Sequence, residues 1–285
     1  PLLLLIDGHS LMHRAYHALP PLSISRNGEP IQAVFGFASM LLKVLAEVRP
    51  SHVAVTFDRP GPTFRHLQFE DYKAQRGRAP EELSMQFRRV REVVDALGLP
   101  VFEQEGYEAD DLLATLSRQA VARGAGVLIV TGDTDTLQLV GPVVRVLTSR
   151  GRFSDTVTYD EAAVHQRYGL SPAQLADLRG LRGDSSDNIP GIPGIGDKTA
   201  QKLLAQFGTL EEIYHHLERV EPPKLRELLR EHEGQARQSQ ALAQLDSQAP
   251  VTLDLEACRL GWYAREKVVA LFRELEFRAL LDRLP

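Results

Sequence analysis

One cysteine, Cys258, stands among 285 residues, which excludes an internal disulfide and any zinc cluster built on cysteine. No apolar run is longer than Leu2–Ile6, far short of the roughly 20 residues a membrane-spanning helix needs, so an integral membrane helix is excluded. Low-complexity tracts, internal repeats and long linkers are also lacking. So is an excess of positive charge: 33 Lys and Arg face 38 Asp and Glu, a total of −5. Taken as a total, that speaks against a nucleic-acid partner. What remains is 43% hydrophobic and 25% charged, an ordinary globular composition with chain enough for one large or two modest domains. A single unpaired cysteine fits a reducing, cytoplasmic compartment.

Up to about residue 160, strand-like and helix-like stretches alternate. Leu2–Ile6, Val53–Phe57, Pro100–Phe102, Val127–Thr131 and Val143–Leu147 read as buried strands. Ala33–Val48, Glu81–Leu97 and Ala109–Arg123 carry helical periodicity, and Pro50, Gly98 and Gly124 stop them. Strands separated by helices of this length predict an α/β fold with a mostly parallel sheet and right-handed crossovers. Beyond residue 160 the texture becomes helical: Asp160–Tyr168, Pro172–Leu181, Lys198–Phe207, Leu210–Leu217, Pro223–Glu231, Gly234–Leu245 and Arg265–Leu275. Val251–Leu253 is expected to be a short strand.

Three strand-like runs end in aspartate: Asp7, Asp58, and Asp133 with Asp135 two residues on. In an open parallel sheet, ligands sit beyond the carboxyl ends of the strands, so acids distant in sequence converge there. Glu108, Asp110 and Asp111 at a helix start, and Asp184 and Asp187 in a Gly-Asp turn, complete nine candidate carboxylates. Each alone also reads as a helix-dipole, cap or turn residue. Nine together would repel one another and raise each other's pKa. Hard cations that take oxygen ligands relieve that conflict, and carboxylate, water and phosphate together suit Mg²⁺ or Mn²⁺. Two such ions about 3.5–4 Å apart clamp the attacking and leaving oxygens of phosphoryl transfer. Adjacent Asp110 and Asp111 cannot point the same way from one helix, so one of the pair belongs behind the other. Setting the nine acids aside turns the total of −5 into +4, and nucleic acid returns as a partner.

Residues 59–91 carry eight Lys and Arg against four acids, interleaved with Phe64, Phe69 and Tyr72. A basic, aromatic-bearing segment beside metal ions suits single-stranded nucleic acid, although a solvated mixed-charge helix face has the same composition. Ile192–Lys202 reads as a glycine hairpin between two helices, whose backbone N–H groups reach phosphate without reading sequence. His9, His13 and His17 lie four apart on one helix face, but no fourth zinc ligand accompanies them.

The ordered set is more specific than its parts. Asp7-Gly8, Arg14-Ala15-Tyr16-His17-Ala18-Leu19, Thr56-Phe57-Asp58, Tyr72-Lys73-Ala74-Gln75-Arg76, Gly106–Asp111, Thr131–Asp135, Gly183–Asn188 and the Gly-Ile-Gly hairpin follow one another along nearly the whole chain. It resembles the 5′ nuclease domains of bacterial DNA polymerase I, within the flap endonuclease family. That resemblance implies a PIN-like α/β core over 1–169 with a helical arch near 64–91, then a helix–hairpin–helix domain and C-terminal return over 170–285. It implies a two-metal nuclease removing 5′ flaps and RNA primers at single-strand/double-strand junctions in replication and repair.

On the same resemblance, Asp7, Asp58, Glu108, Asp110 and Asp111 mainly serve one metal, and Asp133, Asp135, Asp184 and Asp187 the other. Lys73 and Arg76 match residues that contact the scissile phosphate, and Arg14 a motif arginine that contacts substrate. Gly191, Gly194, Gly196, Lys198, Thr199 and Lys202 match a duplex-binding hairpin that holds K⁺ on backbone carbonyls. The expected protein is a monomer, either part of a longer chain with polymerase domains C-terminal to it or a stand-alone relative. The rival from another class is a catalytically weak DNA-junction binding module, which would gain nothing from nine acids. The rival within the class is a PIN-like RNase, against which the hairpin counts.

Overall fold

The computed structural model describes every residue except Trp262. Its frame is a six-stranded sheet of β1 (Leu2–Asp7), β2 (His52–Thr56), β3 (Val101–Phe102), β4 (Gly126–Val130), β5 (Val144–Ser149) and β6 (Thr156–Tyr159). The spatial order is β3-β2-β1-β4-β5-β6. β1 pairs in parallel with β2 on one side (Leu4 opposite Val53) and with β4 on the other (Leu4 opposite Leu128). Strand order therefore reverses at β1, and the crevice beyond β1 and β4 is where such sheets bind ligands.

Both faces of the sheet are covered, which is why its strands read as unbroken apolar runs. Leu4 and Ile6 of β1 face one core and Leu3 and Leu5 the other, as the two-residue period of a strand requires. On the first face pack the helices Gly8–Ala18, Gln32–Val48 and Glu81–Ala96. The Gln32–Val48 helix has no N-cap side chain of its own; Gln86 Oε1 accepts from the N–H of Ala33 at 2.7 Å. On the second face pack the Ala109–Ala122 helix and the helical C-terminal half, through Leu178, Leu203 and Ile213. The chain then returns: Val268, Phe272, Phe277 and Leu280 close the first core.

Three expectations change. β6, antiparallel to β5, was not anticipated, although Thr156-Val157-Thr158-Tyr159 has the β-branched and aromatic content of a strand. Val251–Leu253 is coil rather than strand. Two of its backbone groups are met by one side chain, Gln119, which donates to Val251 O at 2.8 Å and accepts from Leu253 N at 2.7 Å. The segment expected to arch over the site as helix is helical only at Phe64–Gln68 and from Glu81 onward. Residues 69–80 run as turn and coil, because Gly77 and Pro80 interrupt any helical pattern.

Candidate active site

Asp7 ends β1 and caps the helix that follows. Its Oδ1 accepts from Ser10 N at 3.0 Å and its Oδ2 from the Thr131 hydroxyl at 2.7 Å. That hydroxyl also accepts from Asp133 N at 3.0 Å, so Thr131 ties the carboxyl ends of β1 and β4 together. Gly8 is required here: a Cβ would lie 2.1 Å from the Phe57 ring. Asp58, just past β2, accepts from Ala109 N at 2.6 Å and so joins β2 to the start of the Ala109–Ala122 helix. Asp133 caps the 3₁₀ turn Thr134–Leu139, accepting from Asp135 N at 2.8 Å.

These acids share one cleft of about 1060 Å³, lined by Asp7, Asp58, Glu108, Asp110, Asp133, Asp135 and Asp184. Arg14, Lys73, Arg76 and Lys198 line it as well. Two of the nine predicted acids lie apart. Asp111 is fully buried behind the cleft, its oxygens taken by Arg65 Nη1 and Nη2 at 2.8 Å and by Asp246 N at 2.8 Å. The expectation that Asp111 is itself a metal ligand is corrected: of the adjacent pair, Asp110 faces the cleft and Asp111 holds an arginine. Asp187 sits at the edge, bonded to Arg76 and to the Tyr72 hydroxyl at 3.2 Å, with Lys73 Nζ at 3.7 Å.

The charges are unevenly met. Glu108 bonds Lys73, Arg65 (2.8 Å) and Tyr72 (3.0 Å); burial would raise its pKa, but Lys73 and Arg65 hold it below the ordinary glutamate value. Arg179 lies 2.5 Å from Asp135 and 3.2 Å from Asp184. Among the described residues Asp7, Asp110 and Asp133 form no ion pair. Burial, then the nearby charge of Asp58, pushes Asp7 up to about 7. Burial and Asp133 push Asp135 up to about 7, and burial with Asp133, Asp7 and Glu108 raises Asp110 well above an ordinary aspartate. An orphaned negative field of this kind, made wholly of oxygen donors, fits divalent cations with a preference for oxygen. Among the described residues no three His, Cys, Asp or Glu side chains are already closed into a cage for an ion. Lys73 and Arg76 are drawn onto the acids instead. Lys73 holds a left-handed backbone (φ 55°) with its N–H on Asp187 O at 2.9 Å.

The hairpin joins the helix Leu175–Arg182 to the helix Asp197–Phe207. Gly191 (φ 61°) lies against Gly183, where a Cβ would come within 2.1 Å of backbone, and Gly194 has φ 88°. Gly196 is extended and uncrowded, so it is not sterically required. Lys198 reaches the cleft wall, whereas Lys202 is exposed and Gly191, Gly194, Gly196 and Thr199 lie outside the lining. Arg14 also braces the far rim, its Nε donating to Ser149 Oγ at 2.9 Å.

Sequence reasoning missed the residues that organise this charge. Arg65, 1% exposed, spends its donors on Glu108, Asp111, Leu242 O and Gln244 O, all at 2.8 Å. Nothing in the sequence separates it from the seven other basic residues of its segment. Arg179 is marked only by its helical spacing toward Gly183, and Thr131 only by preceding Gly132-Asp133.

Comparison with known proteins fits this geometry. A family model described as 5′-3′ exonuclease, N-terminal resolvase-like domain, matches residues 2–169, and one described as 5′-3′ exonuclease, C-terminal SAM fold, matches residues 170–266. The chain belongs to the 5′-3′ exonuclease family. Among its relatives, DNA polymerase I of Chloroflexus aurantiacus is 49% identical over 100% of this chain and 31% of that protein. DNA polymerase I of Bacillus subtilis is 42% identical over 99% and 32%. This chain therefore spans about a third of the relatives it matches. Bacteriophage T5 5′-exonuclease with bound divalent metal ions (zinc) has the same fold, with TM-score 0.71 at 21% identity, covering 98% of this chain and 100% of that one. The T5 flap endonuclease with DNA and metal ions superposes with TM-score 0.70 at 21% identity over 97% and 100%.

Proposed function

We propose that this member of the 5′-3′ exonuclease family hydrolyses phosphodiester bonds of DNA at 5′ flaps and single-strand/double-strand junctions, using two or more Mg²⁺ or Mn²⁺ ions. The observation that carries this reading is the cleft: seven carboxylates, Asp7, Asp110 and Asp133 among them without an ion pair, face a wall that ends in the hairpin lysine Lys198. Asp7, Asp58, Glu108 and Asp110 would hold one ion, and Asp133, Asp135, Asp184 and Asp187 the other. Asp111 serves them indirectly, by fixing Arg65 and through it Glu108. Bound there, such ions polarise the phosphate and supply hydroxide from bound water near neutral pH.

The rest falls to the chain itself. Lys73 and Arg76, which here neutralise Glu108 and Asp187, would meet the negative charge that builds on the phosphate, where a fixed cation lowers the barrier most. Lys198, Lys202 and the N–H groups at Gly196–Thr199 would bind duplex phosphates without reading bases, and Arg14 a phosphate at the opposite rim. Residues 1–169, with Asp184 and Asp187 from the helical half, would carry the chemistry and the rest of that half the duplex, with 265–285 returning to the first core. A K⁺ ion on the hairpin would have to share or bypass the carbonyls of Gly191 and Ile192, which already accept from Gln235 and Ile195. The fitting context is a monomeric unit of the bacterial cytoplasm, linked as in its relatives to polymerase domains, removing flaps and RNA primers in replication and repair.

The deciding experiment is cleavage of end-labelled 5′-flap, blunt-duplex and single-stranded substrates with and without Mg²⁺. Metal-dependent cutting favouring the flap is expected. Tight flap binding with no cutting in any divalent metal would instead make the chain a junction-binding module.

A further inference from the structure

Two arginines are buried against the candidate metal ligands, Arg65 at 1% and Arg179 at 4% exposure, and they are held in opposite ways. Every nitrogen of Arg65 donates a hydrogen bond, so it works as a fastener. Arg179 does not. Its Nη2 lies 2.5 Å from Asp135 Oδ1 and its Nε 3.2 Å from Asp184 Oδ2. Yet among the described residues its buried Nε and Nη1 have no hydrogen-bond partner. A guanidinium placed to brace the fold would not leave two buried donors unmet. Asp184 is not free to turn toward them. Its Oδ1 accepts from Ser186 N at 2.9 Å and from Ser186 Oγ at 2.6 Å, and its backbone exchanges hydrogen bonds with Ile189 at 2.9 and 2.8 Å. The helix that carries Arg179, Leu175–Arg182, is fixed as well: it packs so closely on Glu233–Ala243 that a Cβ on Gly180 would come 2.7 Å from Gln240 Cβ. What the site fixes is the charge of Arg179, not its hydrogen bonds.

We propose that Arg179 is a resident counter-ion that opposes a divalent ion at Asp135 and Asp184, so that the protein holds its two ions with unequal strength. The proposal rests on the two-ion reading above. Among Asp7, Asp58, Glu108 and Asp110 nothing comparable stands against an ion. Among the described residues no lysine or arginine pairs with Asp7, Asp58 or Asp110, and Asp58 has only His9 at 3.9 Å. That ion is held tightly. The ion among Asp133, Asp135, Asp184 and Asp187 meets two arginines, which differ in permanence. Arg76, beside Asp187, is half exposed on the coil of residues 69–80 and can be drawn away. Arg179 sits on a packed helix and stays, and a guanidinium does not give up its proton. In the metal-free protein the same charge relieves the repulsion between Asp135 and Asp184. Arg179 is thus a positioning residue, acting on the reaction through the ion and not on the phosphate.

The test is Mn²⁺ binding to the DNA-free chain, with free ion counted by electron paramagnetic resonance, for wild type, Arg179→Met, Arg179→Gln and Arg179→Lys. Thermal denaturation in chelator and in Mn²⁺ accompanies it. Wild type is expected to show one tight and one weak class of site. Arg179→Met and Arg179→Gln should tighten the weak class about 10–100-fold and leave the tight class within about threefold, part of what a unit charge a few ångströms away exerts through partly hydrated protein. Arg179→Lys, which keeps the charge, should restore most of the weakness. In chelator the two neutral variants should melt below wild type, and Mn²⁺ should raise their Tm by more. A brace would lower Tm and leave the isotherm unchanged, and that result overturns the counter-ion. Equal site affinities in wild type overturn it too, as does a tightening in Arg179→Lys as large as in Arg179→Met. Failure of both neutral variants to fold even in Mn²⁺ makes Arg179 a brace and has the same force. If wild type binds no Mn²⁺, the two-ion reading fails and takes Arg179 with it; two classes that Arg179 does not move remove this inference alone.

Discussion

Asp110 and Asp111 are neighbours in one helix, yet the structure predicts opposite consequences for the same substitution. Asp111 holds the fully buried Arg65 through two bonds of 2.8 Å. Asp111→Asn keeps the shape and one acceptor but leaves the guanidinium with half its compensating charge, Glu108 remaining. Breaking a buried pair from one side costs about 3–5 kcal/mol, and the retained acceptor places this change near the lower end. At roughly 2–4 °C per kcal/mol for a chain of this size, Tm falls by about 6–12 °C. Asp110 is the reverse case. It is a half-buried carboxylate that Asp133, Asp7 and Glu108 repel, so its neutralisation removes a cost of the metal-free fold. Asp110→Asn is expected to leave Tm in chelator unchanged or higher.

Adding Mg²⁺ separates the two further. A ligand that binds only the folded state raises Tm by mass action. Wild type and Asp111→Asn should both gain from Mg²⁺, whereas Asp110→Asn should gain little and cut at least about 10²-fold more slowly, the scale of losing one electrostatic stabiliser. The assay is thermal denaturation in chelator and across a Mg²⁺ titration, paired with single-turnover cleavage. Equal Tm losses for both variants, or a normal Mg²⁺ response in Asp110→Asn, would refute the division of labour drawn from Arg65.

Replacing Mg²⁺ by Ca²⁺ should preserve flap binding and abolish cutting, because Ca²⁺ satisfies the acids but takes looser, higher coordination; full cleavage in chelator would refute any metal role. Lys73→Ala should slow single-turnover cleavage about 10²–10³-fold while weakening binding much less, and equal losses in both would make Lys73 a docking charge. Asp7 is raised by burial to about 7, so wild type in chelator loses its contribution to stability as pH rises toward and through that value. The advantage of Asp7→Asn over wild type in Tm should therefore widen between about pH 4 and pH 7 and then level off, and a gap independent of pH would remove that cost from Asp7. Lys198→Ala with Lys202→Ala should weaken binding equally for flaps of different sequence and flatten its salt dependence by about 0.9 per lost phosphate contact; an unchanged slope would place the duplex elsewhere.

Strand ends and their acids were legible because a rule of backbone topology connects them. Once Leu2–Ile6, Val53–Phe57 and Val127–Thr131 are parallel neighbours, Asp7, Asp58 and Asp133 must emerge together, and they do. The hairpin was legible for a similar reason, since Gly191 and Gly194 occupy left-handed backbone that other residues adopt only under strain. What sequence did not disclose is how charge is apportioned among the acids. An arginine buried at 1% exposure and one left in solvent share a letter, and only the packing of residues 242–244 against Arg65 distinguishes them. Periodicity could say that Asp110 and Asp111 diverge but not which turns inward, because the cleft and the buried arginine both attract carboxylate.

That ambiguity bears on how the site works. Arg65, Lys73, Arg76 and Arg179 pair with five of the nine acids and Asp58 takes the N–H of Ala109, whereas Asp7, Asp110 and Asp133, which form no ion pair, stand at the ends of β1 and β4 and at the helix between them. Asp7 and Asp133 are fixed in place by Ser10 N, Thr131 and Asp135 N, hydrogen bonds that orient a carboxylate without neutralising it. Oriented but uncompensated charge at the point where strand order reverses is costly to the fold and has no structural partner. It therefore marks the place where the missing positive charge must be supplied from outside the chain.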